Sequence, residues 1–217
     1  MQNPFSYQTS EYDCGPTAVL NAIRYLFRRE DIPPIMIKSI FHYTLDGVNE
    51  KGESGKTGTS AMAMNFLSHW LNQYGKQMKF PIRTEHLSGE EVWLEPGCKL
   101  YECLQNGGVA VIRLWYGCPH YVTAVGIEDD KMLLFDPYYR VEPFDIKGVE
   151  MVEDHQLAYN RKVTLERMQQ WKRRAYALHN LENRELLLIY NTSDDDHYHN
   201  TPENYLIEED EDDDDME

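Results

Sequence analysis

The apolar pattern of the 217-residue chain changes from helical to strand-like between its two halves. Apolar residues recur at helical spacing from residue 15 to about residue 29, and again over residues 60–74. Beyond residue 105 come three β-rich segments, which cover Val109–Trp115, residues 121–127 and Lys131–Phe135. Helices followed by hairpin-linked strands predict an α+β fold, with N-terminal helices packed on a C-terminal antiparallel sheet.

Weaker patterns predict the remaining elements. Gly75 is placed to end the helix over residues 60–74, and a glycine- and lysine-rich loop over residues 45–60 precedes that helix. Acidic residues 128–130 are expected to form the turn of a hairpin. Five further segments are predicted: helices at 35–43, 99–105 and 164–179, and strands at 79–84 and 186–190.

The charge of the chain is concentrated at its C-terminal end. Thirteen of the 37 acidic residues, and no Lys or Arg, lie in residues 192–217, which leaves 24 acidic against 21 basic residues before them. We therefore divide the chain into a domain at 1–191 and an acidic tail at 192–217. A body without basic excess disfavours a nucleic-acid partner. No apolar run is long enough for a membrane span, and no secretory signal begins the sequence, so we expect a cytoplasmic protein.

The strongest chemical motif is a cysteine at the predicted start of the first helix, in the sequence Asp13-Cys14-Gly15. Free N–H groups at a helix N-terminus favour negative charge, and the thiolate is the nucleophilic form of cysteine. Gly15 would leave room for a substrate carbonyl to approach the sulfur. A buried structural cysteine is the alternative. Six residues earlier, Gln8 could donate to an oxyanion together with the Cys14 N–H.

A histidine and a carboxylate flank the predicted hairpin. His120 precedes the strand at 121–127, and Asp136 follows the strand Lys131–Phe135. Each lies about eight residues from the centre of the turn, so antiparallel pairing is expected to place them side by side. A general base and the acid that orients it require this arrangement, although a one-residue shift of register would break it.

Taken together, these motifs resemble the bacteriocin-processing peptidases, papain-like enzymes that cleave after a double-glycine leader. The resemblance rests on Gln8 with Asp13-Cys14-Gly15-Pro16, on His120-Tyr121-Val122, on Asp136-Pro137, and on Gly58-Thr59-Ser60 before the third helix. It covers roughly residues 3–140. No transporter segment follows, so the chain resembles the stand-alone relatives, and residues 145–191 are an extension that the resemblance does not cover.

The resemblance implies a cysteine peptidase or related thiol hydrolase that needs no metal or organic cofactor. It implies that Cys14 is the nucleophile, His120 the base, Asp136 the residue that orients His120, and Gln8 an oxyanion donor. The substrate would be a peptide or small amide. Two alternatives remain open, namely an acyltransferase of the same fold and a catalytically silent peptide-binding module.

A zinc site is the competing interpretation of the cysteines. Cys98 and Cys103 with Cys118 and His120 could supply four ligands, but their spacing matches no common zinc module. Metal ligation would also occupy His120. We therefore expect no metal at this histidine.

Overall fold

The computed structural model describes residues 5–153 and 158–193. Seven strands form one sheet in which every neighbouring pair is antiparallel. Five α-helices accompany the sheet within the described ranges, which confirms the predicted α+β class. Residues 194–217, which hold nearly all of the predicted acidic tail, lie outside the described residues.

The helices are α1 (Cys14–Leu26), α2 (Pro34–Thr44), α3 (Ala61–Met78), α4 (Lys99–Gln105) and the single turn α5 (Leu165–Met168). The strands are β1 (Ile82–Ser88), β2 (Val109–Trp115), β3 (Pro119–Glu128), β4 (Lys131–Phe135), β5 (Val149–Met151), β6 (Arg161–Thr164) and β7 (Glu185–Asn191). Across the sheet their order is β1-β7-β2-β3-β4-β6-β5.

Both faces of the sheet are covered, which explains the nearly continuous apolar character of its central strands. Along β2, Val109 and Val111 join a core cluster with α1, α2 and α3, whereas Ala110 and Ile112 join a second cluster that includes α4. Successive side chains of a strand point to opposite faces, so one strand contributes to both clusters. The three long N-terminal helices therefore pack on one face, and α4 packs on the other.

Helix α1 lies across β3, and this contact brings the two halves of the chain together. The buried hydroxyl of Thr123 on β3 donates a hydrogen bond of 2.9 Å to the carbonyl oxygen of Ala18 on α1. The contact fixes the start of α1, with Cys14, beside the start of β3, with His120.

The structure corrects the predicted ends of α3 and β1. Gly75 lies inside α3 rather than at its end. Glycine is required at this position because a side chain would come within 3.0 Å of Phe80 and Ile82. The helix ends at Lys79, which adopts the left-handed conformation with φ of 52°. Strand β1 consequently begins at Ile82, later than the predicted 79.

The predicted helix over residues 164–179 is wrong. Only Leu165–Met168 is helical, and Arg161–Thr164 is a strand. Further along, Trp115 at the end of β2 accepts from Tyr176 N–H at 2.8 Å and donates to the Ala177 carbonyl at 2.9 Å. These tertiary hydrogen bonds replace helical ones, so this part of the segment lies beside the end of β2 and is not helical.

None of the described helices combines the length and apolar character that a membrane span requires.

Candidate active site

Cys14 is the first residue of α1, and the chain before it folds around the side chain of Asp13. The buried Asp13 carboxylate accepts hydrogen bonds from the backbone N–H and the hydroxyl of both Thr9 and Ser10, at 2.8–3.1 Å. Burial raises the pKa of Asp13, but these four hydrogen bonds outweigh that effect and lower it. Because the carboxylate faces the lead-in, it caps no N–H group of α1. The positive end of the helix therefore keeps N–H groups available beside the thiol.

Gly15 is needed for the packing of the start of α1. A side-chain carbon at this position would come within 2.2 Å of the Thr59 hydroxyl oxygen. The loop carrying Thr59 is held by Asp46, which accepts from the backbone and the hydroxyl of Ser60 at 3.1 and 2.6 Å. Glycine thus lets this loop approach the start of α1 and form a wall of the cleft.

His120 stands between Cys14 and Asp136. Its Nε2 lies 2.7 Å from Asp136 Oδ1, and the Cys14 side chain is near enough to the ring to influence its pKa. Since Nε2 is engaged with the carboxylate, Nδ1 is the ring nitrogen available to the sulfur. Burial alone lowers the pKa of His120, but the charge and hydrogen bond of Asp136, with a smaller contribution from Cys14, raise it to about 10. The imidazole is therefore poised to carry a proton.

Asp136 is almost completely buried, with 1% of its surface exposed. Its Oδ1 also accepts from the backbone N–H of Tyr138 at 2.8 Å, and its Oδ2 accepts from the hydroxyl of Tyr176 at 2.6 Å. Burial raises the pKa of this carboxyl, but the charge of His120 and these hydrogen bonds lower it below its usual value. The aspartate is consequently held as an anion against the histidine.

His120 and Asp136 meet, but not directly across the hairpin. A β-bulge between Ala124 and Gly126 shifts the register, so that Thr123 pairs with Phe135. Extending this register places Asp136 opposite residue 122, diagonal to His120. The predicted contact is therefore present because a diagonal neighbour lies within reach of a long side chain.

A cleft of about 520 Å³ opens at this cluster, lined by Gln8, Cys14 and His120 together with residues of the loop at 57–59. Gln8 is held in place by its backbone N–H, which donates to the Pro137 carbonyl at 2.9 Å. Its amide donates one hydrogen to Ser10 O at 2.8 Å, and the second hydrogen is available to a ligand. All four predicted site residues thus belong to one cluster.

Three buried side-chain atoms without a hydrogen-bond partner in the described ranges are Gln8 Oε1, Thr59 Oγ1 and Arg113 Nε. All three residues line the same cleft. Buried polar atoms are seldom left unpaired, and together these offer an acceptor, a hydroxyl and a cationic donor.

The other three cysteines do not form a cluster with His120, although Cys118 lines the same cleft. The thiols of Cys98, Cys103 and Cys118 each lie near a different backbone carbonyl, and burial raises the pKa of Cys103 to about 12. Within residues 5–153 and 158–193, no group of three or more His, Cys, Asp or Glu side chains is arranged to hold a metal ion.

Sequence reasoning missed the residues that surround Asp136 from the C-terminal side. The Asn160 side chain binds the backbone of Asp136: it accepts from the Asp136 N–H at 2.8 Å and donates to the Asp136 carbonyl at 2.9 Å. Tyr176 reaches its side chain, as described above. No local pattern marks either residue, since both act through contacts with a residue at least 24 positions earlier.

No protein-family model matches the sequence, and no curated protein matches it. Three solved structures are similar to the chain. The peptidase domain of Streptococcus ComA, a bifunctional ABC transporter involved in quorum sensing, is 13% identical, with coverage of 86% of this chain and 96% of that one and a TM-score of 0.44. The peptidase domain of Streptococcus mutans ComA is 13% identical, with coverage of 86% and 98% and a TM-score of 0.41.

The third structure is a double-glycine motif protease from an AMS/PCAT transporter in complex with its leader peptide. It is 13% identical, with coverage of 87% of this chain and 91% of that one and a TM-score of 0.42.

Proposed function

We propose that the chain is a cysteine hydrolase that cleaves peptide or amide bonds through an acyl-enzyme on Cys14. The observation that carries this proposal is the position of His120, which lines the same cleft as Cys14 and contacts Asp136 through Nε2. A nucleophile, a base and a group that orients the base are the parts of a hydrolytic triad. The cleft at this cluster gives a substrate access to the sulfur.

In the first half of the reaction, His120 accepts the thiol proton and the Cys14 thiolate attacks the substrate carbonyl carbon. The carbonyl oxygen becomes an oxyanion, which the Cys14 backbone N–H and the free amide hydrogen of Gln8 stabilise. When the tetrahedral intermediate collapses, the C–N bond breaks and His120 donates its proton to the leaving amine. Removing one oxyanion donor costs on the order of 10²–10³ in rate in hydrolases of this kind.

In the second half, a water molecule enters the site vacated by the amine. His120 removes a proton from it, the resulting hydroxide attacks the thioester, and the C–S bond breaks to release a carboxylic acid and restore the thiol. Asp136 remains an anion throughout and stabilises the imidazolium form of His120.

The test is the pH dependence of iodoacetamide alkylation, followed for each cysteine by mass spectrometry on the full chain. We expect Cys14 to react rapidly and selectively at pH 6, where an ordinary thiol with a pKa of about 8.5 is protonated. The reason is that protonated His120 stabilises the thiolate. Cys98, half-buried and outside the cleft, serves as the internal reference.

Alkylation of Cys14 that is no faster than that of Cys98 would reject the hydrolase and favour a silent peptide-binding scaffold. Cys14→Ala should abolish turnover while Cys98→Ala leaves it unchanged. Full activity in Cys14→Ala would also contradict the proposal.

A further inference from the structure

The segment from residue 158 to residue 178, which the sequence motifs do not include, forms one side of the candidate triad. Asn160 binds the backbone of Asp136 through two hydrogen bonds, and Tyr176 binds its Oδ2 at 2.6 Å. Tyr176 is itself 1% exposed. Each contact ends on Asp136, the residue whose carboxylate touches His120, so the segment acts on the triad through Asp136.

Arg161 determines the direction of the hydrogen bond between Tyr176 and Asp136. Its Nε lies 3.3 Å from the Tyr176 hydroxyl oxygen, and a guanidinium can only donate. The tyrosine oxygen therefore accepts from Arg161, and its own proton points to Asp136. Burial and the neighbouring Asp136 charge raise the pKa of Tyr176 well above its usual value, which keeps that proton on the tyrosine.

The backbone of Tyr176, whose hydroxyl contacts Asp136, has an unusual conformation. Its φ is 65°, in the left-handed region that side chains other than glycine seldom adopt. Hydrogen bonds from Tyr176 N–H to Trp115 O and from Trp115 N–H to Ala177 O fix this conformation against the end of β2. A tertiary contact thus maintains a strained backbone that directs the phenol towards Asp136.

The two oxygens of Asp136 are divided between different donors. Oδ1 accepts from His120 and from the Tyr138 N–H, and Oδ2 accepts from Tyr176. Without the phenol, Oδ2 would have no donor among the described residues. A buried carboxylate oxygen without a donor is costly, so the carboxyl group would rotate or take up a proton.

We propose that Tyr176 is a positioning residue for the Cys14–His120 pair, which it orients by fixing the Asp136 carboxylate, and that the segment 158–178 is therefore part of the active site. This inference rests on the proposed hydrolase function. It adds a fourth residue behind the triad, supplied by a part of the chain outside the recognised motifs.

The test is Tyr176→Phe in the full chain, which removes one oxygen atom and keeps the ring. The measurement is the rate constant of Cys14 alkylation by iodoacetamide between pH 4 and pH 9. The donor is expected to help keep Asp136 ionised, so its loss should move the acid limb of the profile up by about one pH unit. The maximum rate should fall several-fold, because His120 is held less firmly.

Tyr190→Phe is the matched control, since the Tyr190 hydroxyl lies near the Cys103 side chain rather than near the triad. Its profile should coincide with that of the unaltered protein. A purely structural tyrosine would lower the unfolding temperature without moving the acid limb, so an unmoved limb in folded Tyr176→Phe would overturn the inference.

A second variant covers the case in which Tyr176→Phe does not fold. Arg161→Met removes the donor that orients the phenol, and should move the acid limb in the same direction by a smaller amount. An unmoved limb there would count equally against the inference. Slow Cys14 alkylation in the unaltered protein would instead reject the hydrolase function, and this inference with it, so the two failures are distinguishable.

Discussion

Two buried carboxylates of the sheet, Asp136 and Glu185, have nearly the same partners and yet differ in surroundings. Asp136 contacts His120 at 2.7 Å and the hydroxyl of Tyr176 at 2.6 Å. Glu185 contacts His86 at 2.9 Å and the hydroxyl of Tyr121 at 2.7 Å. Each is therefore a buried carboxyl group between an imidazole and a phenol.

The difference lies in what stands on the far side of each histidine. His120 has the Cys14 thiol nearby and lines the cleft, whereas His86 is not among the residues that line it. Glu185 also has the guanidinium of Arg113 at 3.7 Å to balance its charge, a cation that Asp136 does not have at comparable distance in the described ranges. The counterion of Asp136 is instead the protonated form of His120. A carboxylate–histidine pair becomes a candidate catalytic unit only when the histidine is the main counterion and a nucleophile can reach it.

The largest contrast is expected from removing the two histidines. His120→Ala should slow alkylation of Cys14 at pH 6 by about 100-fold or more, because a general base typically contributes 10²–10⁴-fold and the thiolate loses its counterion. His86→Ala should change the rate by less than about threefold. The measurement is alkylation quenched at a series of times and quantified by mass spectrometry.

Equal losses in the two variants would show that the comparison is wrong and that the sheet responds as one unit. Circular dichroism of both proteins is the control, since it separates unfolding from loss of reactivity.

A smaller contrast is expected from neutralising the carboxylates. In Asp136→Asn, the amide can donate to His120 Nε2, which leaves the proton on Nδ1 and prevents that nitrogen from accepting the thiol proton. We expect about a 10- to 100-fold loss of Cys14 alkylation at pH 6. Glu185→Gln should lose less than about threefold, although each variant sacrifices charge-assisted hydrogen bonds worth about 1.5–3 kcal/mol apiece.

Urea unfolding of the two carboxylate variants provides the matching stability measurement. Comparable destabilisation with unequal reactivity would sharpen the distinction between the two carboxylates. A Glu185→Gln protein as unreactive as Asp136→Asn would contradict it.

The sequence predicted the position of Cys14 better than the residues that hold Asp136 in place. Cys14 could be placed because helix spacing and Pro16 mark the start of α1 within one residue. The contact between His120 and Asp136 was predicted from hairpin symmetry, yet the actual geometry depends on the bulge between Ala124 and Gly126. Symmetry gave the correct partners because the side chains span the diagonal that the bulge creates.

Neither the contact of Tyr176 with Asp136 nor the burial of Glu185 could be predicted from the sequence. Residues 164–179 have a composition that suits a helix, but hydrogen bonds with Trp115 hold Tyr176 in a non-helical segment with a left-handed φ. Glu185 opens a strand whose pattern indicates burial of its apolar residues, and its own burial depends on partners from β1, β2 and β3. Contacts between residues far apart in the chain leave no periodic signal in the sequence.

The smallest expected effect concerns the pH dependence of stability, and it separates the two carboxylates without any assay of reactivity. The pKa of His120 is raised to about 10, against about 6.5 for an unfolded histidine. Folding then favours the protonated form, so this contribution to the free energy of unfolding is complete below about pH 6.5 and is lost as the pH rises towards 10. Urea unfolding at pH 6.5, 8 and 9.5 measures the decline.

Asp136→Asn should flatten this decline, because the charge that stabilises protonated His120 is gone, whereas Glu185→Gln should retain it. Lysines, tyrosines and the other thiols titrate in both variants, so their contributions largely cancel in the comparison between them. If Glu185→Gln flattened the decline and Asp136→Asn did not, the alkaline loss of stability would belong to the sheet interior around Glu185. His120 would then be excluded as the proton-carrying partner of Asp136, and the distinction between the two carboxylates would fail at its electrostatic basis.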